Sequence, residues 1–238
     1  MKVKIIANPR KPWAKELAKE VAAFLKPVHT IVKRGADATI CIGGDGTILY
    51  ASHQGRVDGP VLGIGSMRSY ICQITSDSWK KHILKILDGG KKIEAMALTA
   101  SIGSEHFTAL NDFVIHATHY RVAELDVSYG PGKASFQGDG VIISSALGSP
   151  AYAYSAGADK FGPTERKLIV VPICPYRRAF SPQVLGEDAA VEVRVGSDCA
   201  FIADGIFVRK LDAGEIVRIA KGRNIIFFEG VGSDDFKG

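Results

Sequence analysis

A single junction does most to dictate the fold of this chain. The unbroken run of mostly apolar residues at 38–42 leads straight into Gly43-Gly44-Asp45-Gly46-Thr47, and a helical pattern follows from Ile48. An almost wholly apolar run of this length belongs to a strand covered on both faces, which implies a parallel sheet with helices on either side. The flanking pattern agrees. Residues 3–7 form a short β-branched strand ended by Asn8-Pro9, and Trp13, Leu17, Ala18, Val21, Phe24 and Leu25 make one helical stripe that Pro27 stops. Residues 61–64 read as the next strand. Residues 79–87 read as a helix, with Ser76, Asp77 and Ser78 available as caps and Gly89-Gly90 as its stop. Strands and helices alternating at this spacing predict an α/β domain.

Beyond about residue 95 the pattern changes. Short strands are expected at 98–102, 107–110, 114–116, 122–128, 141–144, 168–173, 191–195, 201–203 and 216–219, with Gly130-Pro131-Gly132 as a hairpin turn. Only residues 149–157 suggest a helical turn. The expectation is an α/β domain over 1–95 that carries the glycine turn, and a β-rich domain over 96–238. The C-terminal segment is free to return to the first domain.

Composition narrows the function. Of 238 residues, 46% are apolar and 23% charged, the balance of an ordinary globular chain. The net charge of +5 is dispersed, with no cluster beyond pairs such as Lys91-Lys92 and Arg177-Arg178. This argues against a nucleic-acid partner and suits ligands that carry phosphate. Cys41, Cys72, Cys174 and Cys199 form no CxxC pair, so they are expected to be reduced thiols. The opening apolar stretch is too short for a signal core. The longest later apolar run, 168–174, falls far short of the ~20 residues a membrane helix needs. A cytoplasmic protein with no membrane partner is expected.

The glycine turn points to chemistry. Delivered by a strand and followed by a helix, it offers backbone N–H groups where phosphate is favoured. Glycine on both sides of Asp45 lets a polyphosphate approach the main chain. An acid inside an anion-binding loop makes sense if it accepts a hydroxyl proton during attack on phosphorus, or orients a metal ion. The plain structural alternative, Asp45 merely capping the helix, is the weaker reading of these five residues.

At this point the chain resembles a family. Gly-Gly-Asp-Gly-Thr after a buried strand is similar to the hallmark of NAD kinases and of their relatives, the diacylglycerol and sphingosine kinases and the phosphofructokinases. Later stretches choose among them. Leu110-Asn111-Asp112 resembles the Asn-Glu/Asp motif of NAD kinases. Residues 138–144 followed by 148–157 resemble that family's Asp-Gly and Ser-Thr-Ala-Tyr segment. Pro172-Ile173-Cys174-Pro175 and Ala203-Asp204-Gly205 fall in the family's order. The chain is identified as a divergent member, matched over about residues 40–205.

The resemblance implies a two-domain NAD kinase-like fold and transfer of the γ-phosphate of ATP (or polyphosphate) to the 2′-hydroxyl of the adenosine ribose of NAD, with Mg2+ or another divalent cation. It implies Asp45 as general base, and Gly44, Gly46, Thr47 and Arg68 on phosphate or nucleotide. Asn111 and Asp112 would bind dinucleotide hydroxyls, and Ala151, Tyr152 and Ser155 would contact the nucleotide, Tyr152 by stacking. Asp139 and Asp204 would share that cleft. No residue is singled out as a metal ligand, and a homodimer or homotetramer is implied. The chain departs from the family at Tyr50, where a basic residue is usual, at 65–72, at Pro150 and at Ala158-Asp159. Alternative readings keep the fold with another nucleoside or dinucleotide acceptor, or make the protein a non-catalytic dinucleotide binder.

Lesser candidates are expected to be structural. His116 and His119 would diverge on a strand. His29, His53, His82 and His106 would be solvated, and Ser233-Asp234-Asp235 would be a frayed tail. Arg177-Arg178 would be either a solvated turn or a phosphate contact, and Cys41 strand packing.

Overall fold

The computed structural model describes residues 1–118 and 121–230. His119 and Ser233-Asp234-Asp235 lie outside the described residues. The chain forms two compact units, one from Met1–Glu94 with the segment from Ile225 on, the other Ala95–Asn224.

The first unit runs β1 (Lys2–Ala7), α1 (Pro12–Leu25), β2 (Thr30–Ile31), β3 (Ala38–Ile42), α2 (Asp45–His53), β4 (Val61–Gly65), β5 (Ile74–Thr75), α3 (Trp79–Gly89) and β6 (Lys92–Ala95). A closing strand, Ile225–Phe228, enters the same sheet. The order is β2-β1-β3-β4-closing strand-β6, with β5 also paired to β4. β1, β3, β4 and the closing strand are mutually parallel where they pair.

Alternation along the strands explains the two-sided burial. Ile40, Ile42, Leu62 and Ile64 pack in one cluster with Leu17, Val21 and Leu25 of α1, Ile83 and Leu87 of α3, and Phe228. Gly63 belongs to the other face, where Ile48 of α2 comes so close that a Cβ on Gly63 would lie 2.8 Å from its Cδ1. The chain leaves β1 through α1 towards β2 on one flank, and leaves β3 through α2 towards β4 on the other. Strand order therefore reverses between β1 and β3, the place where open α/β sheets bind ligands beyond the strands' carboxyl ends.

Several local expectations are corrected here. α2 starts at Asp45 and not at Ile48, because the turn is completed by Gly43 and Gly44 alone. Ser78 stands at the N-cap of α3, yet its hydroxyl lies 2.9 Å from Thr75 Oγ1 and makes no cap bond to the helix. Trp13 and Phe24 sit on the rim of the α1 stripe, 38% and 36% exposed. His29 is buried, with Nδ1 3.5 Å from the N-terminal amine and Nε2 3.5 Å from Asp88 Oδ1.

The second unit comprises β7 (Leu98–Ile102), β8 (Glu105–Ala109), β9 (Asp112–Ala117), β10 (Ala123–Tyr129), β11 (Gly132–Gly138), β12 (Gly140–Ser145), β13 (Lys167–Ile173), β14 (Gln183–Gly186), β15 (Val191–Val195), β16 (Cys199–Ala203), β17 (Ile206–Leu211) and β18 (Ile216–Lys221). They form two sheets among the described residues, β11-β10-β15-β18-β7-β8 and β14-β13-β12-β9-β16-β17. Alternate residues from both, such as Leu125, Val127, Val193 and Val217 against Phe113, Ile143, Val170 and Phe201, make a sandwich core. Phe113 and Phe201 stack at 5.3 Å. The outer face of the second sheet is also buried, because Ala153 and Ala158 pack on Val114, Ile142, Ile169 and Val171. That packing seats the 149–158 segment over β9, β12 and β13.

The closing strand brings distant chain into the α/β core through Phe228, which is 1% exposed. Phe228→Ala is expected to destabilise the protein by about 3–5 kcal/mol. Urea denaturation should show this as a lowered midpoint with an unchanged slope.

Candidate active site

In the first unit the site is built on the β3–α2 turn. Gly43 and Gly44 have φ of 138° and 94°, a region other residues avoid. A Cβ on Gly43 would also lie 2.5 Å from Asn8 Cβ and 2.6 Å from Thr47 Oγ1. Both backbone angle and space therefore demand glycine. Gly44 is the N-cap and its carbonyl accepts the Thr47 N–H at 2.9 Å, which leaves the Asp45 and Gly46 N–H groups at the head of α2 without an intrahelical acceptor. Gly46 is exposed, with nothing within 4 Å of where its Cβ would stand, which leaves this side of the turn open.

Asp45 is half-buried and its carboxylate is fixed by backbone. Oδ2 accepts the Tyr70 N–H at 2.7 Å and Oδ1 accepts the Ile71 N–H at 3.0 Å. The loop that donates them is closed by Ser69 N–H to Ser66 O at 3.0 Å and Ser66 N–H to Ser69 Oγ at 3.1 Å. Arg68 is exposed on this loop. Thr47 turns inward: it is buried, and its hydroxyl accepts from Asn8 Nδ2 at 3.3 Å. Cys72 is buried behind Asp45, and its thiol is pushed up by burial and then by the Asp45 charge. Burial pushes the Cys41 thiol up to about 12, the behaviour of a packing residue.

Sequence reasoning missed two residues here. Asn8 and Lys11, on the β1–α1 loop, both touch the glycine turn, and Lys11 Nζ donates to Gly43 O at 2.6 Å. The only sequence signal was the Asn8-Pro9 turn itself.

In the second unit, Asp204 organises the start of β9. It has φ of 50°, and its carboxylate accepts the N–H groups of Leu110, Asn111 and Asp112 at 2.9, 2.7 and 3.2 Å. Its own N–H donates to Asp112 O at 2.9 Å. Asn111 Oδ1 is buried and has no hydrogen-bond partner among the described residues. Gly148 passes so close that a Cβ would lie 2.3 Å from Asn111 O. Asp112 is buried, and its carboxyl is pushed up to about 7, first by loss of water and then by the Asp204 charge.

Tyr152, Ala151 and Ser155 are exposed on the short helical turn after Gly148, and Ser155 Oγ donates to Ala151 O at 3.2 Å. Burial raises the Tyr152 phenol, and the negative charges of Cys174, Asp112 and Asp139 raise it further, so these groups face one region. Asp139 is held between β11 and β12, its N–H on Ile173 O at 2.9 Å and its carbonyl accepting the Ala117 N–H at 2.8 Å. Cys174 is exposed at φ of 46° and was not foreseen as a neighbour of Tyr152. Arg177 and Arg178 both have φ of 55° in the turn that follows.

An α/β unit with a fixed acid on a phosphate-type turn at a strand-order reversal, followed by a β-sandwich unit, defines a nucleotide-binding protein of the two-unit kinase type. The family described as ATP-NAD kinase C-terminal domain matches residues 110–228. NAD kinase of Chlorobium limicola is 31% identical, and NAD kinase of Chlorobium phaeobacteroides 30%, each alignment covering 95% of this chain and 90% of the relative. Among solved structures, yeast NADH kinase complexed with NADH superposes with a TM-score of 0.86 at 20% identity, covering 98% of this chain and 84% of that one. An NAD kinase from Archaeoglobus fulgidus in complex with ATP gives 0.82, also at 20% identity, covering 98% and 95%. The chain belongs to the NAD kinase family. The two structural likenesses confirm the expected fold class.

Asp112 sets a pH dependence. Its folded pKa of about 7 lies above the ordinary carboxylate value of 3.8, so the native state holds a proton that the unfolded chain has already released across that window. Its contribution is full below about pH 4 and is lost as pH rises towards 7. Asp112→Asn should therefore gain stability relative to wild type as pH rises through this range, by up to roughly 4 kcal/mol. Urea unfolding of both proteins at a series of pH values measures it.

Proposed function

We propose that the protein transfers the γ-phosphate of ATP to the 2′-hydroxyl of the adenosine ribose of NAD, giving NADP and ADP. The observation that carries this reading is the Asp45 carboxylate, held by two N–H groups beside an open helix N-terminus. A carboxylate has about four acceptor positions. Two are occupied by the loop, which fixes the group while leaving lone pairs for a hydroxyl. In the reaction Asp45 takes the proton of the 2′-hydroxyl as that oxygen bonds to the γ-phosphorus, and the bond from phosphorus to the β–γ bridging oxygen breaks to release ADP. The protein's work in such a transfer is positioning and charge stabilisation.

In this reading Gly44, Gly46 and the α2 N-terminus receive donor phosphates, and Arg68, exposed on the adjoining loop, adds a cation. Thr47, bonded to Asn8, braces the turn. Asn111 Oδ1, buried without a partner among the described residues, accepts a ribose hydroxyl, and Asp112 beside it binds a second. Tyr152 offers its exposed ring for base stacking, Ala151 and Ser155 line the same turn, and Asp139 and Asp204 complete the group. Among the described residues no three His, Cys, Asp or Glu side chains converge as a metal cage. Mg2+ is usually carried on substrate phosphates with one or two carboxylates. Asp45 is the carboxylate at hand, and the ion would neutralise phosphate charge.

Among the described residues no helix is long and apolar enough to cross a membrane. Free, mostly buried cysteines suit a reducing compartment, and we infer a cytoplasmic location; the family resemblance implies a homodimer or homotetramer.

Wild-type protein with ATP, Mg2+ and NAD should form NADP in an enzyme-coupled assay. Asp45→Asn should lower kcat by roughly 10²- to 10⁴-fold while NAD affinity, measured by calorimetry, changes by less than about two-fold. Equal NADP formation by both proteins would remove Asp45 from the mechanism.

A further inference from the structure

We propose that Lys11 is the cation that receives the terminal phosphates of the donor nucleotide, a role that rests on the phosphotransferase reading above. α2 supplies N–H groups and a dipole, yet residues 45–53 include no lysine or arginine. Phosphoryl transfer gathers negative charge at this place, and a helix N-terminus alone neutralises only part of it.

The neighbouring β1–α1 loop supplies positive charge beyond that of Arg68. Asn8 Oδ1 accepts the Arg10 N–H at 2.9 Å and folds the β1–α1 loop back on itself. Asn8 N–H donates to Ile42 O at 2.8 Å, and Asn8 Nδ2 donates to the Thr47 hydroxyl at 3.3 Å. This loop is thereby stitched to both ends of the glycine turn. From it, Lys11 Nζ reaches Gly43 O at 2.6 Å and lies 3.8 Å from the point a Gly44 Cβ would occupy. The ammonium also lies 5.9 Å from the Trp13 ring centroid, which helps to hold it over the turn.

An ammonium carries three donors, and Gly43 O uses one. Among the described residues no carboxylate pairs with Lys11, and the residue is exposed. Two N–H bonds therefore remain for an anion seated on the first turn of α2. Gly44, at φ of 94°, puts no side chain of its own between them.

Initial-rate kinetics with ATP and NAD varied separately test this on wild type, Lys11→Met and Lys11→Arg. Lys11→Met should raise KM for ATP roughly 10- to 100-fold and leave KM for NAD within about two-fold, and Lys11→Arg should recover most of the loss. Calorimetric titration with inorganic triphosphate requires no turnover, and Lys11→Met should weaken it by a similar factor. Unchanged KM for ATP and unchanged triphosphate affinity overturn the proposal. So does a shift confined to NAD, which would assign Lys11 to the acceptor's pyrophosphate. A lowered Tm with both substrates equally impaired, and no rescue by Lys11→Arg, overturns it by making Lys11 a loop brace. If wild type forms no NADP while Lys11→Met still loses triphosphate, the phosphotransferase reading fails and the phosphate site stands.

Discussion

Two backbone N–H groups, from Tyr70 and Ile71, decide where the Asp45 carboxylate points, and the chemistry of the first unit depends on that direction. Glycine-flanked, at the first residue of a helix, the side chain would otherwise sample several rotamers. Hydrogen bonds to a charged group contribute about 1.5–3 kcal/mol each, enough for two of them to select one orientation. The donors in turn depend on β4. A Cβ on Gly63 would lie 2.9 Å from Cys72 Cα, and one on Gly65 would lie 2.2 Å from Ser69 Oγ. Bare backbone on β4 thus lets the loop lie close to the sheet, and the loop then holds the acid.

The second unit uses a carboxylate in the opposite sense. Asp204 is committed to three N–H groups at the start of β9, and it holds the backbone that presents Asn111 and Asp112. The consequence falls on Asp112. Buried next to an anion already satisfied by backbone, it is cheaper to keep protonated, which is why its carboxyl titrates near neutrality. Two acids on one short stretch of structure acquire different roles because one has donors and the other has only burial.

Legibility followed burial. β3 and β4 were readable because helices cover both faces, leaving apolar runs that admit no other interpretation. The alternating strands of the sandwich, such as β10 and β15, were readable because one face is core and the other solvent. β14 and β17 lie at sheet edges with little or no full burial, and the closing strand buries only Phe227 and Phe228, so none carries a clear period. The two-residue strands β2 and β5 are too short to show any pattern. His29 was misjudged because its burial comes from Met1 and Asp88, partners remote in sequence.

The amino-acid order was sufficient for the class of fold, the glycine turn with its acid, and the motifs that place the chain in its family, because each of these is local. Folding alone decided the rest. Strand order reverses between β1 and β3, and that adjacency carries Asn8 and Lys11 onto a turn more than thirty residues further along. The donors to Asp45 are peptide N–H groups, which every residue but proline possesses, so no side-chain pattern could have marked Tyr70 and Ile71. Contacts made by backbone, or across the sheet, become visible only when the chain has closed on itself.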